Sequence, residues 1–186
     1  MLFIHTAQLS FDQLHLLPEA ICQLLDRKHP DADLLTIVQE MRPLALETLN
    51  GFYALKVLPI TNPSPRIIVI DNTYSFRDDS CSFRDAVAIA FILLTLGKAV
   101  EREIKRLYIN GFFLEGTILD AYANAALNNL TQHAQRELAL KCSELKLKPS
   151  CRLLPSTDLD QENQRTVHAV LAEEIAAVNV IIEENF

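Results

Sequence analysis

The chain has 186 residues, is 49% hydrophobic with Leu, Ile, Val and Ala dominant, and lacks Trp, which suits one sizeable aliphatic core in a single domain, 1–186. A net charge of −7, without any Lys/Arg cluster interleaved with aromatics, excludes a nucleic-acid surface, since phosphate backbones repel acidic proteins. Cys22, Cys81, Cys142 and Cys151 form no Cys-x-x-Cys pair and the N-terminus carries no signal-peptide pattern, so a reducing, cytoplasmic setting is expected.

Met1–Thr6 alternates weakly and predicts a short strand. Leu14, Leu17, Ile21, Leu24 and Leu25 then recur at helical spacing, and Pro18 suits a first turn, so a helix starts near Pro18. His29-Pro30 stops it, and Asp31 or Asp33 caps a second helix striped by Leu34, Val38, Met41, Ala45 and Leu49. Pro43 is expected to kink or divide that helix, which ends at Asn50-Gly51.

Beyond Gly51, Phe52–Leu58 and Arg66–Asp71 are β-branched or aromatic runs separated by Pro59, Asn62, Pro63 and Pro65, the texture of a hairpin-like strand pair. Residues 72–85, with Asn72, Ser75, Asp78, Asp79, Ser80 and Asp85, read as a polar loop. The apolar run from Asp85 to Gly97 follows, and its second half is expected to be a buried central strand. It is well short of the roughly 20 residues needed to cross a bilayer, so no membrane span is expected.

Val100, Ile104, Leu107 and Tyr108 mark an amphipathic helix closing at Asn110-Gly111. Its charges, from Glu101 through Arg102, Glu103 and Lys105 to Arg106, read as a solvated face. A longer helix, about Leu114 to Cys142, carries Leu119, Ala126, Leu130 and Leu138 along one side and alanines at 121, 123, 125 and 126. Small residues there permit close approach of another element. Lys146–Pro149 breaks the chain, Asp158 with Gln161 suggests a new helix start, and Val167, Val170, Leu171 and Ile175 stripe that helix. Val178–Ile182 reads as a closing strand, which completes an α+β plan: a small, mostly antiparallel sheet packed with helices.

Five histidines include no i,i+4 pair, no His-Glu-x-x-His and none at zinc-ligand spacing from a cysteine, so no metal site is expected. With four glycines and no Gly-x-Gly-x-x-Gly, Walker or Gly-x-Ser-x-Gly motif, nucleoside triphosphate hydrolysis is set aside. Three subtler features remain. The turn Thr95-Leu96-Gly97 opens a helix and would aim N–H groups at an anionic group, or is an ordinary strand-to-helix turn. Asp120, Asn124 and Asn128 form a polar row, solvated or facing a cleft. Arg152, on a Pro-bounded segment, suits bidentate capture of a carboxylate, or forms a surface ion pair.

From Thr95 to Leu130, the succession Thr95-Leu96-Gly97, Val100-Glu101, Asn110-Gly111 and Ile118-Leu119-Asp120-Ala121 resembles the adenosylmethionine-binding activation domain of cobalamin-dependent methionine synthase and its free-standing relatives. The likeness covers about four-fifths of the chain at the level of element order. In that family an Arg followed by Pro-Gly-Tyr wraps adenosylmethionine. Arg152-Leu153-Leu154-Pro155 is similar here, with Ser156 and Thr157 where glycine and tyrosine would stand. The resemblance implies a small-molecule ligand, S-adenosylmethionine, in a cleft joining Thr95, Gly97, Asp120, Arg152 and Pro155. In it Arg152 holds a carboxylate, Asp120 receives an ammonium group, and a cobalamin-binding protein is the partner.

Two other functional classes fit the same residues. One is a stand-alone enzyme of isomerase, cyclase or lyase type on the same scaffold, with Asp120, Tyr122 and His168, and beside them Tyr53 and Asp71, as acid–base candidates. The other is a homodimeric assembly partner that pairs through an unprotected edge at Val178–Ile182.

Overall fold

The computed structural model describes residues 1–25, 32–63, 66–78, 83, 85–149, 153 and 158–178. In chain order the strands are β1 (Phe3–Leu9), β2 (Gly51–Pro63), β3 (Ile67–Ile70), β4 (Tyr74–Arg77) and β5 (Ala88–Thr95). The helices are a 3-10 turn (Asp12–Leu14), then α1 (Pro18–Leu25), α2 (Ala32–Thr48), α3 (Lys98–Ile109), α4 (Phe113–Glu144), α5 (Gln161–Val170) and α6 (Ala172–Ala177). The fold is α+β, as the alternation of strand and helix patterns predicts.

β2 is the strand on which the sheet is built. It pairs with β1, β3 and β5, and a strand has only two edges. Leu2 N donates to Val57 O, whereas β3 begins its register at Ile60, so β1 and β3 take successive stretches of one edge. β5 takes the other edge, from Asn50 N bonded to Leu96 O at one end to Ile60 N bonded to Val87 O at the other. β4 extends the sheet beyond β3, antiparallel to it.

Contacts divide the molecule into two compact units, each assembled from separate stretches of chain. The first comprises Met1–Thr6, Ala54–Leu93 and Ala134–Phe186. On β3 and β4 the period-2 pattern turns Ile68, Ile70 and Phe76 inward. They form one core with Leu58, Phe91, Val170 and Leu171, and the Phe83 ring meets Phe76 edge-on at 5.6 Å. Two polar fastenings fix α5 and α6. Asn163 uses both ends of its amide on the β4 backbone, accepting from Arg77 N at 2.7 Å and donating to Arg77 O at 2.8 Å. The buried Lys56 of β2 donates to Val170 O at 2.8 Å and pairs with the Glu174 carboxylate at 3.2 Å.

The second unit comprises Ala7–Tyr53 and Leu94–His133. Its interior is aliphatic, with Leu14, Ile21, Val38, Ala45, Ile118, Leu119, Ala126 and Leu130 fully buried. The Tyr122 hydroxyl lies within it and donates to Val38 O at 3.1 Å, tying α4 to α2. Arg42 lies over the Phe11 ring at 5.5 Å. Among the described residues no buried side-chain nitrogen or oxygen lacks a partner, as low-dielectric interiors require.

Several expectations need correction. The 72–85 loop contains β4, entered through a turn in which Asp71 (φ 51°) and Asn72 (φ 58°) both adopt left-handed backbone. Thr73 N bonds Ile70 O, as in the mirror-type turns that suit strand twist. Pro43 does not divide α2, which continues through it. The last helix is capped by Asp160, whose carboxylate accepts from Asn163 N at 2.8 Å, and not by Asp158. Its stripe is split between α5 and α6 at Leu171. Val178 ends α6 as its C-cap, and 179–182 of the expected closing strand lie outside the described residues, as do His29, Pro30 and Asp31.

Candidate functional site

Thr95 ends β5 and Lys98 begins α3, so the turn expected to bind an anion sits at that junction. Gly97 has φ 80° and ψ 170°, backbone that only glycine adopts without strain. A side chain there would meet only Asn50 Cβ, at 3.8 Å, so the backbone and not crowding demands glycine. Its N–H is already taken, donating to Thr95 Oγ1 at 3.1 Å. Thr95 and Gly97 are therefore brought together, chiefly to satisfy one another.

Asp120 is exposed on α4 and accepts from Asn124 Nδ2 at 3.2 Å, so the upper part of the polar row bonds within itself. Tyr122, two residues on, is fully buried, and burial pushes its phenol up to about 12. The opposing pull of the Arg42 charge is smaller. With its hydroxyl committed to Val38 O, Tyr122 acts as a core fastening. His168 is half-buried on α5, in the first unit, whereas Asp120 and Tyr122 belong to the second. Of the wider candidates, Tyr53 is buried and Asp71 accepts from the Met1 ammonium at 2.7 Å. Arg152 and Pro155 lie outside the described residues. The three catalytic candidates thus occupy an exposed face, a sealed core and a different unit.

A cleft that the motif search did not single out lies lower on the same α4 row. The 3-10 turn ends at His15, whose left-handed backbone (φ 49°, ψ 47°) reverses the chain before Pro18 opens α1. Asn129 Nδ2 grips Leu14 O at 2.5 Å and holds this reversal to α4. Between the His15–Leu24 stretch and Ala125, Asn128 and Asn129 remains an open cleft of about 300 Å³. Leu16, Leu17, Ala20 and Leu24 make it largely apolar; the His15 ring and the Gln23 and Asn128 amides supply polar groups. The alanine cluster and Asn128 were visible in the sequence as small residues beside a polar row. What no spacing rule reports is the left-handed His15 that swings α1 across them.

A smaller hollow of about 220 Å³ in the first unit is bordered by Arg66, Ile67, Ser75, Phe76, Arg77 and Glu162. Among the described residues no three His, Cys, Asp or Glu side chains gather to hold a metal ion, and no helix is long and apolar enough to cross a membrane. Cys22 and Cys142 are buried thiols, and burial raises both above the usual thiol range, so neither has the exposed thiolate of a nucleophile. No family model and no curated protein sequence matches the chain.

Proposed function

We propose that the protein is a small-molecule-binding module and that its ligand enters the cleft between His15–Leu24 and α4. The observation that carries this reading is the cleft itself: about 300 Å³ of mostly apolar wall bordered by His15, Gln23, Asn128 and Asn129. Ligand sites commonly begin at about that volume and combine apolar walls with a few orienting polar atoms. Its chemistry favours a neutral, flat ligand part, because among the described residues no carboxylate, lysine or arginine borders it. Carboxamides such as Gln23 and Asn128 present a donor beside an acceptor, the complement of an adenine edge. That is compatible with S-adenosylmethionine, the ligand implied by the resemblance to the activation domain, and with service to a cobalamin-binding partner. In this reading the adenosyl group, rather than the charged amino-acid end, is what the cleft holds.

Titration calorimetry with adenosylmethionine and adenosine tests it. Ala125→Leu should fill the cleft from α4 and weaken binding at least about tenfold without lowering the melting temperature, since the position is half-buried. Absence of heat with either compound at millimolar concentration, or unchanged binding by Ala125→Leu, refutes the assignment.

A further inference from the structure

We propose that the tip of the α3–α4 hairpin docks on an anionic lipid surface. Five successive large apolar or aromatic side chains around one turn face solvent: Tyr108 (38% exposed), Ile109 (75%), Phe112 (49%), Phe113 (65%) and Leu114 (46%). Isolated exposed hydrophobes are ordinary, but a contiguous group at a protrusion marks a contact surface.

The tip is built rather than loose. Gly111 (φ 82°) provides the left-handed residue that ends α3, with Phe112 N bonded to Leu107 O at 3.0 Å and Gly111 N to Tyr108 O at 3.2 Å. Tyr108 lies flat on α4: a Cβ at Gly116 would stand 3.2 Å from its ring, and its hydroxyl meets Thr117 Oγ1 at 3.2 Å. The Phe113 ring lies tilted beside it, with centroids 6.3 Å apart. Tyr108 thus braces the turn, and Ile109, Phe112 and Phe113 are held outward at no further ordering cost.

Charge decides the occupant. Lys98, Arg102, Lys105 and Ile109 fall at i, i+4, i+7 and i+11, so three cations run down one side of α3 towards the apolar tip, with the one carboxylate of Glu101 beside them at i+3. Glu103 is drawn off this stripe by the two-point hydrogen bond from Arg106, at 2.6 and 2.8 Å. With Lys98, Arg102, Lys105 and Arg106 set against Glu101 and Glu103, α3 carries a net charge of +2 on a protein of net charge −7. An apolar wedge beside a cationic shaft matches an interface in which acyl chains lie under anionic headgroups.

The test is co-sedimentation of the full chain with vesicles of phosphatidylcholine alone and of an equal phosphatidylcholine–phosphatidylserine mixture. Binding is expected only to the mixture and should weaken with added salt, because the cation term is screened. Phe112→Ser combined with Phe113→Ser should abolish it. Arg102→Gln combined with Lys105→Gln should weaken it about tenfold or more while leaving the wedge intact. Every position is exposed, so circular dichroism melting should be unchanged. Absence of binding, equal binding to both vesicle types, or tip-dependent dimers in light scattering overturns the proposal, the last assigning the surface to a second copy.

Discussion

In the sheet-bearing unit Lys56 and Glu174 meet from 118 residues apart, and Asn163 reaches β4 across 86; in the helical unit the Tyr122 hydroxyl reaches Val38 O through a mostly aliphatic interior. The two regions solve the same problem differently. A helix pair presents only side chains to its neighbour, because its backbone is satisfied internally, so apolar stripes suffice. A sheet edge presents unpaired backbone groups, and something must meet them. The Asn163 amide does so by offering β4 one acceptor and one donor, in the manner of a further strand, and Thr166 Oγ1 adds a bond to Ser75 O at 3.0 Å. Specific polar contacts therefore concentrate where the fold has an open edge, and packing carries the rest.

The largest effect that would separate the regions lies at the buried ion pair. Glu174→Ala leaves the Lys56 ammonium buried with only Val170 O, and should cost about 3–5 kcal/mol in urea unfolding. Lys56→Met combined with Glu174→Leu should recover most of that loss, since a well-packed apolar pair replaces a desolvated one at little net cost. If the single and double variants are equally destabilised, the pair acts through shape and not through charge.

Asn163→Leu comes next. It strips Arg77 N and O of their partners and removes two hydrogen bonds of roughly 1 kcal/mol each, so a loss of about 2 kcal/mol is expected. The distinguishing sign is association: an uncovered β4 edge should produce concentration-dependent aggregates in light scattering, which the less stable but still folded Glu174 variant should not. Equal aggregation of both would mean that general unfolding, and not the edge, is responsible.

The contrast also explains what was legible in the sequence. Stripes such as Leu119, Ala126 and Leu130, or the start at Pro18, depend on residues a few positions apart, so the helices could be read directly. The apolar run does form the strand β5, but β5 pairs only with β2 among the described strands and buries Phe91 alone, so it is an edge strand and not the buried central strand expected. β4 was not legible: Tyr74-Ser75-Phe76-Arg77 buries only Phe76, with Tyr74 half-buried against the same core, and its pattern drowned among neighbouring Asp and Ser. The turn before it, Asp71-Asn72, was the available signal, since these residue types tolerate left-handed backbone. Candidate chemistry suffered most. Tyr122 and Asp120 are two positions apart on α4, one sealed and one exposed, and only the packing of α2 on α4 decides which. Lys56 and Glu174 drew no attention because a charge in a strand and a charge in a helix look solvated until their elements are folded together.

Tyr122 offers the smallest effect and the cleanest signature. Tyr122→Phe keeps the ring that packs near Phe11 at 6.3 Å and removes only the hydroxyl, so about 1 kcal/mol should be lost at neutral pH. The pH dependence distinguishes it from an ordinary core truncation. Burial raises the folded-state phenol from its usual 10 to about 12; below pH 10 it is neutral in both states, and its contribution is complete. Above pH 10 the unfolded chain ionises while the folded one resists, so stability falls by about 2–3 kcal/mol as pH approaches 12. Urea midpoints at pH 9 and pH 11 should therefore differ more for the native protein than for Tyr122→Phe, and by enough to shrink or reverse the gap between them. Parallel pH profiles would mean that the phenol reaches solvent and that the helical unit opens around Tyr122.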